Sequence, residues 1–148
     1  MAQPTIKPED LIVASGTWGT VEYAVCDDGT SPSKEFYESL RTEDRAKFAP
    51  LFQLMANTGF IRGKSKFRKE RGHIFAFKKN AADGRMIRFP CFRHEKRWIL
   101  THGFYKPAQN EWPEVHFTTA ERVMSEHLGR ISKANPVAKK TSKGRKRR

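Results

Sequence analysis

Apolar and polar positions follow two different periods along this chain, and the changes between them mark the elements. "WGTVEYAVC" (18–26) alternates and puts Val21, Tyr23 and Val25 on one side, which predicts a strand. "DDGTSPS" breaks it with turn formers. Ser31 followed by Pro32 predicts a capped helix start, with Phe36, Tyr37 and Leu40 turned inward. A second helix is expected from Thr42, with Glu43 and Asp44 in the first turn, where the dipole favours acids. Phe48, Leu51, Phe52 and Met55 then recur at helical spacing, and Pro50 among them predicts a kink or a later start.

After "NTG" (57–59) the period returns to two. "HIFAFKK" (73–79), "RMIRFPCF" (85–92) and "RWILTHGFY" (97–105) predict three strands, the first pair joined by an Asp83-Gly84 turn. Pro90 marks its strand as an edge or a bulge. Thr118 and Glu121 form a capping box ahead of a helix with Ala120, Val123, Met124, Leu128 and Ile131 on its core side. The expected fold is α+β, a small antiparallel sheet packed against an N-terminal helical hairpin and a C-terminal helix. The expected organisation is a flexible leader at 1–16, one domain at 17–132 and a basic disordered tail at 133–148.

Length and composition agree with a single domain. A chain of 148 residues with 37% hydrophobic and 11% aromatic content is large enough to bury a core without staples. Cys26 and Cys91 share no motif spacing and read as free thiols in a reducing cytosol. No apolar run reaches membrane-spanning length and no secretory leader is visible, so a cytoplasmic location without membrane contact is expected.

Charge changes the picture more. The formal charge is +13, and it is unevenly placed. Residues 62–106 hold fourteen Lys or Arg against three acids, and residues 133–148 hold eight against none. The rest of the chain is net acidic. A concentrated footprint of this kind points to a polyanion, most often nucleic acid.

Several chemistries drop out. The five histidines and two cysteines lack metal-ligand spacing, and no Gly-rich phosphate loop or G-x-S-x-G elbow is present. Within the basic stretch only Glu70, Asp83 and Glu95 are acidic, which disfavours a carboxylate-held magnesium nuclease; no cofactor is expected. RNA supplies its own nucleophile in the 2′-hydroxyl, so a protein can cleave it by alignment and by cations that stabilise charge on the phosphoryl oxygens. Alternation puts Phe75 and Phe77 on the core face and Lys78 on the other, where Arg88 meets it from the next strand. His102, Tyr105 and Lys106, at the end of the third strand, are candidates for the same edge, a histidine or tyrosine serving to move a proton.

The run "KFRKERGHIFAFKKNAADGRMIRFPCFRHEKRWILTHGFYKPAQNEWPEVHFTTAERVMSEHL" resembles the RelE/HigB-like toxins of type II toxin–antitoxin systems, and among them the phage-derived branch. The matching pieces are Phe77-Lys78, Ile87-Arg88-Phe89, His102 through Lys106, Pro113-Glu114, and Ala120 with Arg122; the resemblance spans roughly residues 20–130. It implies a RelE-like fold and a metal-independent endoribonuclease that cuts mRNA, usually on the ribosome, and inhibits growth. It also implies a helix-turn-helix antitoxin as partner. Carried onto this chain, it makes Lys78, Arg88 and Lys106 the stabilisers of transition-state charge and His102 and Tyr105 the acid/base candidates. Lys64, Lys66, Arg68, Arg71, Lys79 and Arg85 become the residues that hold RNA. Lys106 is followed by Pro107 where the family often has a second lysine. That departure leaves open a second reading, a nucleic-acid or ribosome-binding module without catalysis, or a gyrase-targeting toxin on the same fold.

Overall fold

The computed structural model describes residues 6–107 and 112–134. Its centre is a seven-stranded mixed sheet. In chain order the strands are β1 (Ile12–Ser15), β2 (Thr20–Tyr23), β3 (Phe67–Arg71), β4 (Ile74–Asn80), β5 (Met86–His94), β6 (Arg97–Leu100) and β7 (Phe104–Lys106). The helices are α1 (Pro32–Ser39), α2 (Thr42–Thr58) and α3 (Glu114–Ala134). Side by side the strands run β1-β2-β6-β5-β4-β3, and β7 pairs with β5 off that path.

This overturns the expected small antiparallel sheet behind an N-terminal helical hairpin. Two strands precede the helices, and β2 pairs with β6 in parallel, Thr20 opposite Arg97 through Tyr23 opposite Leu100. Helices α1 and α2 therefore form the crossover a parallel pair requires rather than a free hairpin. Nor is the segment before residue 17 simply a leader: Pro8–Leu11 is a 3-10 turn and Ile12–Ser15 pairs with β2. Of the expected basic tail, residues 135–148 lie outside the described residues.

The remaining corrections are local. The missed strand β3, "FRKER", shows cations outward and buries only Phe67. It is an edge strand, and charged side chains are what keep such an edge from pairing with another chain. The expected third strand divides in two. Residue pairs Cys91–Leu100 to His94–Arg97 join β6 to one end of β5, while Met86–Lys106 to Arg88–Phe104 join β7 to the other. Pro90 lies between these two pairings, where a missing N–H costs no ladder bond on that side, and its carbonyl accepts from the Thr101 N–H at 2.9 Å. Helix α2 runs through Pro50, whose ring lies on the exposed side. Ser31 does not cap α1; its hydroxyl donates to the Ala24 carbonyl at 2.7 Å. Helix α3 starts at Glu114, after Pro113, so Thr118 lies inside it.

The sheet is covered on both faces. On one face α1 and α2 bury Val21, Phe77, Ile87, Phe89, Trp98 and Leu100 beneath Phe48, Phe52 and Met55. Phe77 is fully buried, and Phe75 lies half-buried between Phe67 and Trp98. Each such aromatic contributes roughly 1.5–3 kcal/mol by leaving water. The Trp98 indole N–H donates to the Gly59 carbonyl at 2.9 Å, and Gly59 ends α2 with φ +84°, a left-handed turn that favours glycine. On the opposite face α3 covers Ile74, Ala76 and Phe104 through Ala120, and Phe92 and Ile99 through Val123.

Candidate functional site

Strand pairing decides which side chains share a face, because residues directly opposite in a ladder point the same way. Lys78 stands opposite Arg88, Arg88 opposite Phe104, and Met86 opposite Lys106. Lys78, Arg88 and Lys106 are therefore on the face that α3 partly covers, in a row beyond its end. Arg68, opposite Ala76, joins them from the edge strand.

The row is a set of cations held close together. Arg88 is only 7% exposed. Its guanidinium donates to the Ile87 carbonyl at 3.0 Å and lies 3.6 Å from the Met86 sulfur, while Nε has no partner among the described residues. None of the described carboxylates forms an ion pair with it; Glu70 pairs with Arg68 instead. Lys78 donates from Nζ to the Lys64 carbonyl at 2.9 Å, which ties the loop before β3 to the row. Burial, followed by the charges of Arg88 and Arg68, lowers the Lys78 proton affinity, and Lys106 acts in the same direction. A buried cation without a direct ion-pair partner is costly, and the nearby Glu70 charge offsets only part of the cost of burying Arg88. Sites that carry such a cost are commonly those that receive an oppositely charged ligand.

The other sequence candidates are dispersed. Tyr105 stands opposite Ile87, on the face covered by α1 and α2, where its ring meets Phe36 at 5.3 Å and carries the Arg85 guanidinium at 3.9 Å. Lys79 shares that face, and Arg85 also pairs with Asp83 at 2.9 Å. His102 is 6% exposed beneath α3. Its Nδ1 lies 3.0 Å from the Thr101 hydroxyl and its Nε2 3.2 Å from His116 Nδ1. Burial, then the neighbouring His116, pushes its pKa down to about 3, so it is neutral at ordinary pH. His102 thus joins the sheet to α3. Arg71 pairs with Glu114 at 2.8 Å and stacks 3.7 Å over Phe117, which fastens the start of the same helix. Lys64 and Lys66 are exposed and form no ion pair among the described residues.

Glu70, one of the three acids of the basic stretch, is not among the candidates legible in the sequence. Its side chain is 6% exposed and lies against the row, bound by Arg68. The available signal was a single acid inside "KFRKER". A cavity of about 400 Å³ lined by Glu9, Asp10, Tyr23, Tyr37 and Glu38 lies on the other face, and its acidic rim is the wrong sign for a phosphate.

A family model described as "Phage derived protein Gp49-like (DUF891)" matches residues 35–125, more than half of the chain. The chain belongs to the Gp49-like family. This is a family of RelE/HigB-like toxin–antitoxin toxins. The match runs from within α1 into α3, so every residue of the cationic row lies inside the Gp49-like segment, while β1 and β2 lie outside it. No curated protein matches the sequence. No helix among the described residues is long and apolar enough to cross a membrane.

Proposed function

We propose that this Gp49-like protein is the toxin of a type II toxin–antitoxin system and a metal-independent endoribonuclease acting on mRNA at the ribosome in the cytoplasm. Lys78, Arg88 and Lys106 align an RNA phosphodiester and take up the charge that develops as the 2′-hydroxyl attacks it. Lys64, Lys66 and Arg68 hold flanking phosphates. A helix-turn-helix antitoxin binds the toxin and stops growth inhibition.

One observation carries this reading. The Arg88 guanidinium is nearly buried, lacks a carboxylate partner and shares its face with Lys78 and Lys106. A phosphate would supply the missing charge with bidentate geometry.

A second reading is a binder that does not cut. It is favoured by the positions of His102, neutral under α3, and Tyr105, on the opposite face, which leave neither beside the row. Expression of the wild type should arrest growth and leave cut transcripts, with rescue by the neighbouring antitoxin gene. Lys78→Ala with Arg88→Ala should abolish both effects; full toxicity in that double variant would remove the row from the mechanism. Purified protein that binds programmed ribosomes and leaves their mRNA intact would establish the binder.

A further inference from the structure

Glu70 is the exception in the cationic row. Alternation along β3 carries it onto the face of Arg68, and the pairing with β4 then slips between Lys69 and Arg71. That bulge leaves Glu70 without a residue opposite and turns Arg71 to the same face; bulges on sheet edges commonly re-aim side chains in this way. An edge-strand carboxylate has water available to it. This one is instead 6% exposed, while its partner Arg68 is 49% exposed and donates to its two oxygens at 3.2 and 3.4 Å. Its negative charge bears on both Lys78 and Arg88, raising the proton affinity of each.

The geometry points to Glu70 as the proton acceptor for RNA cleavage, a role that rests on the ribonuclease reading above. The carboxylate is on the right face, which His102 and Tyr105 do not share with an open path to the row. The Glu70 carboxylate takes the 2′-hydroxyl proton as O2′ bonds to phosphorus. The P–O5′ bond breaks, and O5′ takes a proton from the Lys78 ammonium. The products are a 2′,3′-cyclic phosphate and a 5′-hydroxyl; Glu70 then loses its proton to water and Lys78 regains one, so the cycle needs no metal or oxidant. Lys78 suits the donor role because burial and its cationic neighbours make it release a proton more readily. Arg68 exchanges the carboxylate for an RNA phosphate as substrate enters, so the pair in the free protein is a resting contact.

The test uses the full chain and ribosomes programmed with mRNA, alongside ribosomes carrying the same mRNA with 2′-O-methyl groups. Glu70→Gln keeps size and hydrogen bonding and removes the acceptor. Its single-turnover cleavage should fall about 100-fold or more, in the range set by general-base catalysis. Binding to the 2′-O-methyl complex should be unchanged or tighter, because a negative charge has left a cationic site. Added formate should restore cutting by Glu70→Ala, and chloride at equal ionic strength should not. Cleavage by Glu70→Gln within threefold of wild type overturns the proposal. So does a Glu70→Ala variant that retains the wild-type melting temperature and gains nothing from formate, since Glu70 is then a counter-ion. Should Glu70→Ala fail to fold, Glu70→Gln decides alone, its binding to the 2′-O-methyl complex reporting its fold. Wild-type protein that binds the programmed ribosome without cutting overturns the ribonuclease reading as well.

Discussion

Acidification below pH 6.5 should destabilise this protein steeply, because two neutral histidines fasten α3 to the sheet. His102 faces His116 across 3.2 Å, and His127 Nδ1 accepts the Val25 N–H at 2.9 Å. Both are buried, and burial is the main cause of depressed values, about 3 for His102 and about 4 for His127 against the ordinary 6.5. The charged groups around them act the same way: His116 and Arg122 on His102, and Arg130, Arg97 and His94 on His127. The unfolded chain therefore binds protons below pH 6.5 that the folded chain refuses. Stability is fully present above pH 6.5 and is lost as pH falls toward the folded values.

Each pH unit in that window costs about 1.4 kcal/mol per histidine. Between pH 6.5 and 5 the loss is about 2 kcal/mol for each, or about 4 kcal/mol together, a large share of the roughly 5–15 kcal/mol typical of a domain. Urea unfolding at pH 7, 6 and 5, followed by tryptophan fluorescence, measures it directly. His127→Gln should be less stable at pH 7 and show about half of the wild-type pH dependence. Unfolding free energies that agree within about 1 kcal/mol across the range would refute the linkage.

Two further substitutions separate stability from activity. Arg88→Met replaces an unpaired buried cation with an apolar side chain; it should raise the melting temperature by a few degrees and abolish RNA cleavage, and a lower melting temperature would show that the charge is already compensated. Gly103→Ala places a Cβ 2.2 Å from the Phe36 ring, so it should cost about 1–3 kcal/mol by overpacking, read as a lower urea midpoint with an unchanged slope.

The face of Lys78 and Arg88 was legible in the sequence because two strands, "HIFAFKK" and "RMIRFPCF", meet across an Asp-Gly turn whose register follows from its length. The α2 stripe was legible from its helical spacing, and Phe48, Leu51, Phe52 and Met55 are all buried. The side taken by Tyr105 was not. A continuous strand would place it with Ile99, on the Arg88 face, but the break at Thr101–Gly103 shifts the parity by one and sends Phe104 there instead. Strand β3 stayed hidden because its outward positions are cations, so no apolar alternation announces it. Strand β1 is four residues long, too short to show a period. The topology was beyond reach for a different reason: the parallel partner of β2 is a segment far down the chain, and no local pattern encodes such a pairing.

That pairing also orders the events of folding. The strands that bear the cationic row lie between Phe67 and Lys106; β3, β4 and β5 close through short antiparallel turns and β7 returns to β5 just after β6, the contacts a chain makes first. Thr20 must wait for Arg97, with α1, α2 and three strands lying between them in the chain. The loop entropy of that closure has to be met before any of its ladder bonds form. The N-terminal strands thus close onto the half of the sheet that holds Lys78, Arg88 and Lys106, and the pairing with the longest loop to close is remote from that row.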